Sequence, residues 1–198
     1  MPDIHDMGEG SSIVTDIPKY FIYRDGVKTE EVTDVSEYWK EDSVAFLIGC
    51  SFSFEEALEV RHIAMGCNVP MYKTNIQCES AGVFEGPMVV SMRPMTPENA
   101  GKAKEITDRY PNVHGGPVQI GDPAAIGIKD IDRPDYGDAV EIREGEIPVF
   151  WACGVTPQAA IENAKLPLVI THAPGHMYIT NVLNTELNDY LEAKKAEK

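Results

Sequence analysis

Two distant stretches of this chain follow one plan, and that plan limits the fold more than any other feature. "AFLIGCSFSFEEAL", starting at Ala45, and "PVFWACGVTPQAAI", starting at Pro148, each run as an apolar strand into a small residue beside a cysteine, then a short link, a hydroxyl and a helix. In the first, Ser53 and Glu56 have the spacing of a capping box, in which side chain and backbone satisfy each other's amide groups. In the second, Thr156-Pro157 offers a cap hydroxyl followed by a proline whose missing N–H is harmless in the first helical turn. Cys50 and Cys153 are thereby placed at strand ends beside helix N-termini, where unpaired N–H groups favour anions and can lower a thiol pKa.

The rest of the chain repeats the alternation. "GPMVVSMRP" (86–94) is an apolar strand, and Thr96-Pro97 opens the helix "PENAGKAKEITDRY". "LPLVITHAPGH" (166–176) gives a further strand and a Pro-Gly loop, and Leu187, Tyr190 and Leu191 share one face of a closing helix with a lysine-rich end. "YFIYRDGVKTEEV" alternates around Asp25-Gly26, the signature of a hairpin. Residues 114–146, rich in Gly, Pro and Asp, suggest short strands and tight turns. Apolar runs bounded by capped helices imply an α/β protein with a mainly parallel sheet. Ligands would then collect beyond the carboxyl ends of the strands. Residues 1–15, acidic and aperiodic, read as a flexible arm or a docking segment.

Charge and length narrow the function. With 17 Lys+Arg against 32 Asp+Glu in 198 residues, the net charge is −15, and a nucleic acid or an anionic membrane would be repelled at long range. No apolar run reaches the roughly 20 residues that span a bilayer, and the first residues lack the pattern of a signal peptide, so a cytoplasmic protein is expected. Four widely spaced cysteines without C-x-x-C argue for thiols rather than disulfides or a zinc knuckle. His172 and His176 are four apart, but Pro174-Gly175 between them forbids the helical spacing of a metal pair, and no G-x-G-x-x-G or phosphate-binding loop is present. No metal and no cofactor are expected.

Polar candidates cluster elsewhere. Arg61-His62 precedes "NVPMYKTN", which contributes Tyr72, Thr74 and Asn75. Arg93 closes an apolar strand and could grip a carboxylate through two parallel hydrogen bonds. His172 ends a strand; His114, in "VHGGP", sits in a glycine turn and is compatible with either a structural or a functional role. Each has a plainer alternative: buried small hydrophobes for the cysteines, satisfied or surface groups for the histidines, a salt bridge for Arg93.

Several blocks taken together resemble a known family. "FLIGCSFSFEEAL", "VRHI", "NVPMYKTNIQC", "GPMVVSMRP", "GDPAAIGI", "PDYGD", "VFWACGVTPQ" and "THAPGHM", in this order from about Thr15 to Asn181, resemble the bacterial hydro-lyase family that shares its domain with mitochondrial D-glutamate cyclase. The resemblance implies a three-layer α/β sandwich, here placed at 1–60 and 146–198, with a smaller α+β insertion at 61–145. It also implies loss of water from D-glutamate, or a related small amino acid, to give 5-oxo-D-proline. Family members carry a longer N-terminal region and a longer link before "VRHI", so a homo-oligomer or a partner chain supplying that region is an expected partner.

For such a cyclisation the residues suggest His62 as base, His172 as acid, Cys50 and Cys153 lining the pocket, Arg61 and Arg93 as carboxylate grips, and Tyr72, Thr74, Asn75 and Thr156 as positioning groups. Two other readings fit the same residues. One is a cofactor-independent racemase exchanging an α-proton between Cys50 and Cys153; the other is a non-catalytic small-acid binding or regulatory subunit.

Overall fold

The structure, a computed structural model, describes residues 10–49, 68–173 and 175–196. Asp25 and Gly26 both take positive φ (52° and 81°), as a tight two-residue turn requires, and they join β1 (Tyr20–Arg24) to β2 (Val27–Val32) as the sequence implies. Gly26 is needed twice over, because a Cβ there would also lie 2.5 Å from the Glu162 carbonyl oxygen. On its other edge β1 pairs with the last strand, β7 (Val169–His172), giving the order β2-β1-β7. Tyr20 and Ile22 of β1 bury with Val14 and Val35. Near the end of the segment read as an arm, Val14 joins this cluster, and Val35 donates its N–H to the Val14 carbonyl at 3.0 Å.

The second sheet is the one that builds the site. Its strands are β3 (Met71–Gln77), β4 (Pro87–Met95), β5 (Gln119–Ile120) and β6 (Ile147–Ala152), in the order β3-β4-β6-β5. Alternation sends the side chains of β4 and β6 to two faces. One face holds Tyr72, Val90, Met92 and Phe150 under Ile126 and Ile128, which belong to the irregular stretch containing a 3-10 turn, Pro123–Ile126. The other face is covered at one end by helix α1 (Pro97–Thr107), where Ala100 and Ala103 meet Met95, Val149 and Trp151. At the other end lies helix α2 (Val155–Ala164), where Ala159 meets Met71 and Val89. A third helix, α3 (Leu187–Ala196), follows.

The parallel sandwich expected from the sequence is not what forms. Every strand pair among the described residues is antiparallel, and these residues form two antiparallel sheets with three short helices. The error has a physical origin. A continuous apolar run reports burial on both faces, and β4 and β6 are buried on both faces, but burial carries no information on strand direction. Chain order confirms the point: β3 and β4 lie close enough in sequence to pair as neighbours without a crossover helix. The boundary expected at 145/146 falls between β5 and β6, which are hydrogen-bonded neighbours.

Two local expectations also change. The apolar run 43–50 does not enter either sheet over its described part, 43–49; Phe46 is 81% exposed and Val44, Leu47 and Ile48 are exposed too. β propensity is realised only by pairing, and this segment takes no place in either ladder. Thr156 does not cap α2. The helix starts at Val155 after Gly154, with no side-chain cap, while Thr156 Oγ1 accepts the Val89 N–H at 2.9 Å and donates to the Val89 carbonyl at 3.1 Å. By contrast Thr96 does cap α1, accepting the Asn99 N–H at 3.3 Å with Pro97 in first place. No helix among the described residues is long and apolar enough to cross a membrane.

Candidate functional site

The register of β4 on β6 aligns Ser91 with Trp151 and Arg93 with Val149, so these four side chains share the helix-covered face, with α1 beyond one end of the row and α2 beyond the other. Arg93 is only 4% exposed. Its Nη1 donates to Ser91 Oγ at 3.2 Å, and its Cζ lies 5.8 Å from the centroid of the Trp151 ring. The indole is fixed from behind: Trp151 Nε1 donates to Thr107 Oγ1 at 3.1 Å, and that hydroxyl donates to the Ala103 carbonyl at 2.8 Å. A buried guanidinium over an aromatic face is held in a defined direction and, in a region of low dielectric, interacts strongly with anions.

The turn after α1 brings His114 to the same place. Val113 is buried, and a Cβ at Gly49 would lie 2.9 Å from Val113 Cγ1, so only glycine lets the 44–49 segment approach this turn. The backbones of Gly49 and of Ala152, close to the His114 imidazole, favour its cation. Burial, and then the nearby charge of Arg93, outweigh them and hold the His114 pKa below the ordinary histidine value. Gly49 and Ala152 are the residues immediately before Cys50 and Cys153.

The sequence-derived candidates separate into groups. Cys50, Arg61 and His62 lie outside the described residues. Cys153 follows β6 and packs, half-buried, against the cluster of Met71, Val89 and Ala159, and Thr156 anchors α2 to Val89 beside it. Tyr72 and Thr74 point to the opposite face of the sheet from Arg93. Tyr72 Oη donates to the Ile131 carbonyl at 2.6 Å, and burial, with the charges of Asp132, Asp130 and Asp135, pushes its pKa up to about 12. Thr74 Oγ1 donates to the Met88 carbonyl at 2.8 Å. Asn75 is exposed, with its Cβ against Gly127.

His172 stands at the end of β7, paired with Tyr20 in the first sheet. It is exposed along part of its surface, yet burial against the protein around it, and secondarily the charge of His176, lower its pKa from the ordinary histidine value. Among the described residues no group of three or more His, Cys, Asp or Glu side chains is placed to hold a metal ion.

Ser91 and Trp151 escaped the sequence reading because their place depends on strand register, which no local pattern reveals. His114 left a fainter signal: the two glycines after it mark a turn that needs positive φ.

Comparison with known proteins places this arrangement in a family. The D-glutamate cyclase family matches residues 44–181, a span that includes Arg93, His114, Cys153, Thr156 and His172. A Bacillus velezensis protein named "Putative hydro-lyase" is 62% identical over 183 residues, covering 90% of this chain and 69% of its own. Proteins with the same description in Bordetella petrii (58% over 191 residues; 94% and 72% covered) and Bacillus subtilis (60% over 182 residues; 89% and 71% covered) are similarly close. The match takes in most of the chain and every described residue of the Arg93 face, and on that ground the chain belongs to the D-glutamate cyclase family.

Proposed function

We propose that this chain removes water from D-glutamate, closing the amine onto the side-chain carboxyl to give 5-oxo-D-proline. The observation that carries the reading is the buried Arg93 guanidinium on a family-matched face, stacked on Trp151 and held by Ser91. A cation in that setting suits the carboxylate of a small acid better than any neutral group.

The reaction balances without a co-reactant. A C–N bond forms as one C–O bond breaks, and two protons from the α-ammonium leave with the departing oxygen as water. Ring closure within one molecule gains most from orientation, so a site that fixes one carboxylate and folds the chain back contributes much of the acceleration. In this reading Arg93 holds a carboxylate, with Arg61 as a second grip, His62 takes the ammonium proton and His172 assists departure of the oxygen. Cys50 and Cys153 line the pocket, because a free carboxylate is a poor electrophile for a thiolate.

The test is conversion of D-glutamate carrying 13C at the side-chain carboxyl, followed by NMR. The wild-type chain should form the lactam, and Arg93→Gln should slow it by about 100-fold or more, the loss expected of a charge-assisted contact of about 3 kcal/mol. A folded wild-type chain that leaves D-glutamate unchanged at high concentration would refute the proposal. In D2O the α-proton should be retained during turnover; its exchange would instead indicate racemisation.

A further inference from the structure

Among the described residues each of the two sheets has two edges, and a bare edge is a hazard that a chain in water has to manage. Three of these edges are managed. β2 carries Lys28, Glu30 and Glu31 among its six residues, with ion pairs from Glu31 to Lys28 at 2.8 Å and from Glu30 to Arg24 at 3.6 Å. β5 is only two residues long. β3 is plugged by the turn at 135–138: Met71 and Tyr136 exchange backbone hydrogen bonds at 2.8 and 3.1 Å, and the carboxylates of Asp135 and Asp138 accept the N–H groups of Lys73 and Asn68. Only glycine fits at Gly137, where a Cβ would lie 2.1 Å from the Val69 carbonyl oxygen.

The outer edge of β7 has no such protection. Ala173 donates its N–H to the Lys19 carbonyl at 2.9 Å, and alternation along the ladder then turns the backbone groups of Thr171 and Val169 toward β1 as well. Those of Ile170 and His172 point the other way, and no strand among the described residues takes them up. β7 holds no proline and no Asp, Glu, Lys or Arg to deter a neighbour. The run 44–48 is its counterpart: strand-forming residues outside any ladder, with Val44, Phe46, Leu47 and Ile48 exposed at 77%, 81%, 51% and 55%. Together these side chains present on the order of 450 Å² of apolar surface, a patch of the size that marks a contact site.

We propose that the 44–48 run of one chain adds to the β7 edge of a second copy, reciprocally, in a two-fold dimer. The run is tied at both ends where it stands, by the bond from the Ser43 N–H to the Lys40 carbonyl at 3.1 Å and by the close approach of Gly49 to Val113. A second copy meets it in place, whereas pairing within one chain has to pull it against those ties. Reciprocity doubles the contact: two runs laid on two edges cover roughly 1,500 Å² in total, the area of a stable specific interface. Two chains of net charge −15 repel each other, and an uncharged ladder lets them meet, because neither the run nor β7 brings an acidic group into the contact. The dimer is independent of the reaction proposed above.

The experiment measures the mass of the full chain by sedimentation velocity, from about 2 to about 200 µM and at about 50 and about 500 mM NaCl. The expected result is a shift with concentration from the 21.8 kDa chain to twice that mass, tighter at the higher salt because the repulsion between like-charged chains is screened. Hydrogen exchange read by mass spectrometry should slow with rising concentration in peptides covering both 43–49 and 168–173. Phe46→Lys combined with Leu47→Lys puts a charge on each face of the run. Both residues are exposed, so this variant should keep the far-UV circular dichroism and melting temperature of the wild-type monomer while dimerising at least about 100-fold more weakly.

A chain that stays monomeric at about 200 µM in both salts would overturn the proposal. So would a dimer that the double lysine variant leaves intact, or one that salt loosens, the mark of ion pairs across the contact. Exchange in 43–49 and 168–173 that is equally slow at every concentration would overturn it too, as the mark of pairing within one chain.

Discussion

Thr107→Val probes the support behind the Arg93 face with almost no change in shape. Thr107 and Trp151 are both fully buried, and the threonine hydroxyl is the acceptor for Trp151 Nε1 at 3.1 Å while donating to the Ala103 carbonyl at 2.8 Å. Valine fills the same volume, so no cavity opens. What is lost is the acceptor, leaving a buried indole N–H unpaired at a cost of about 1–3 kcal/mol. The bond to Ala103 adds little, because that carbonyl lies within α1, where backbone bonding can serve it.

In a chain of this size about 1 kcal/mol shifts the melting temperature by about 2–4 °C, so a fall of about 4–8 °C is expected for a loss of about 2 kcal/mol. Urea unfolding followed by far-UV circular dichroism should show a lower midpoint at constant slope. Thr107→Ser, which keeps the hydroxyl, should lose only its buried methyl, about 1 kcal/mol. In a double-mutant cycle with Trp151→Phe the valine should cost less than it does alone, since no N–H remains to be orphaned. If Thr107→Val unfolds within about 0.5 kcal/mol of wild type, or the cycle shows no coupling, the hydroxyl is not what holds the indole under Arg93.

Gly26→Ala should destabilise by more than about 2 kcal/mol in the same unfolding assay, because its Cβ would meet the Glu162 carbonyl oxygen at 2.5 Å with φ at +81°, whereas Gly101→Ala, with open space around it in α1, should stabilise by about 0.5–1 kcal/mol. Tyr72→Phe should cost about 1 kcal/mol through loss of the 2.6 Å bond to Ile131, yet leave the KM for D-glutamate unchanged, as the ring faces away from Arg93. Stability should also depend on pH through His114: the unfolded chain binds a proton near the ordinary value of about 6.5 and the folded chain resists it. The contribution is therefore present above that pH and lost as pH falls from about 6.5 through the lowered folded value. His114→Asn should flatten the dependence of melting temperature on pH across that window.

Local chemistry was legible where one residue settles one conformation. Asp25-Gly26 gave the hairpin and Thr96-Pro97 gave α1, each by a mechanism confined to a few neighbours. Burial was legible too, in the apolar runs of β4 and β6, but direction and partner were not, since both depend on which strand arrives alongside. Thr156 shows the limit at a single residue: the Thr-Pro pattern matches a helix cap, while the hydroxyl is instead drawn to the backbone of Val89, 67 positions away. Arg93 was recognisable as a guanidinium at a strand end. Its placement over the Trp151 ring follows from sheet register, and the approach of the 44–49 segment to the turn after α1 from the close contact of Gly49 with Val113.

The most direct test of the account is the structure of the chain with D-glutamate or 5-oxo-D-proline bound. A ligand carboxylate within hydrogen-bond distance of the Arg93 guanidinium, on the Trp151 side of the sheet, is the predicted result. Ligand bound instead on the Tyr72 and Thr74 face, or away from β4 and β6 altogether, would contradict it.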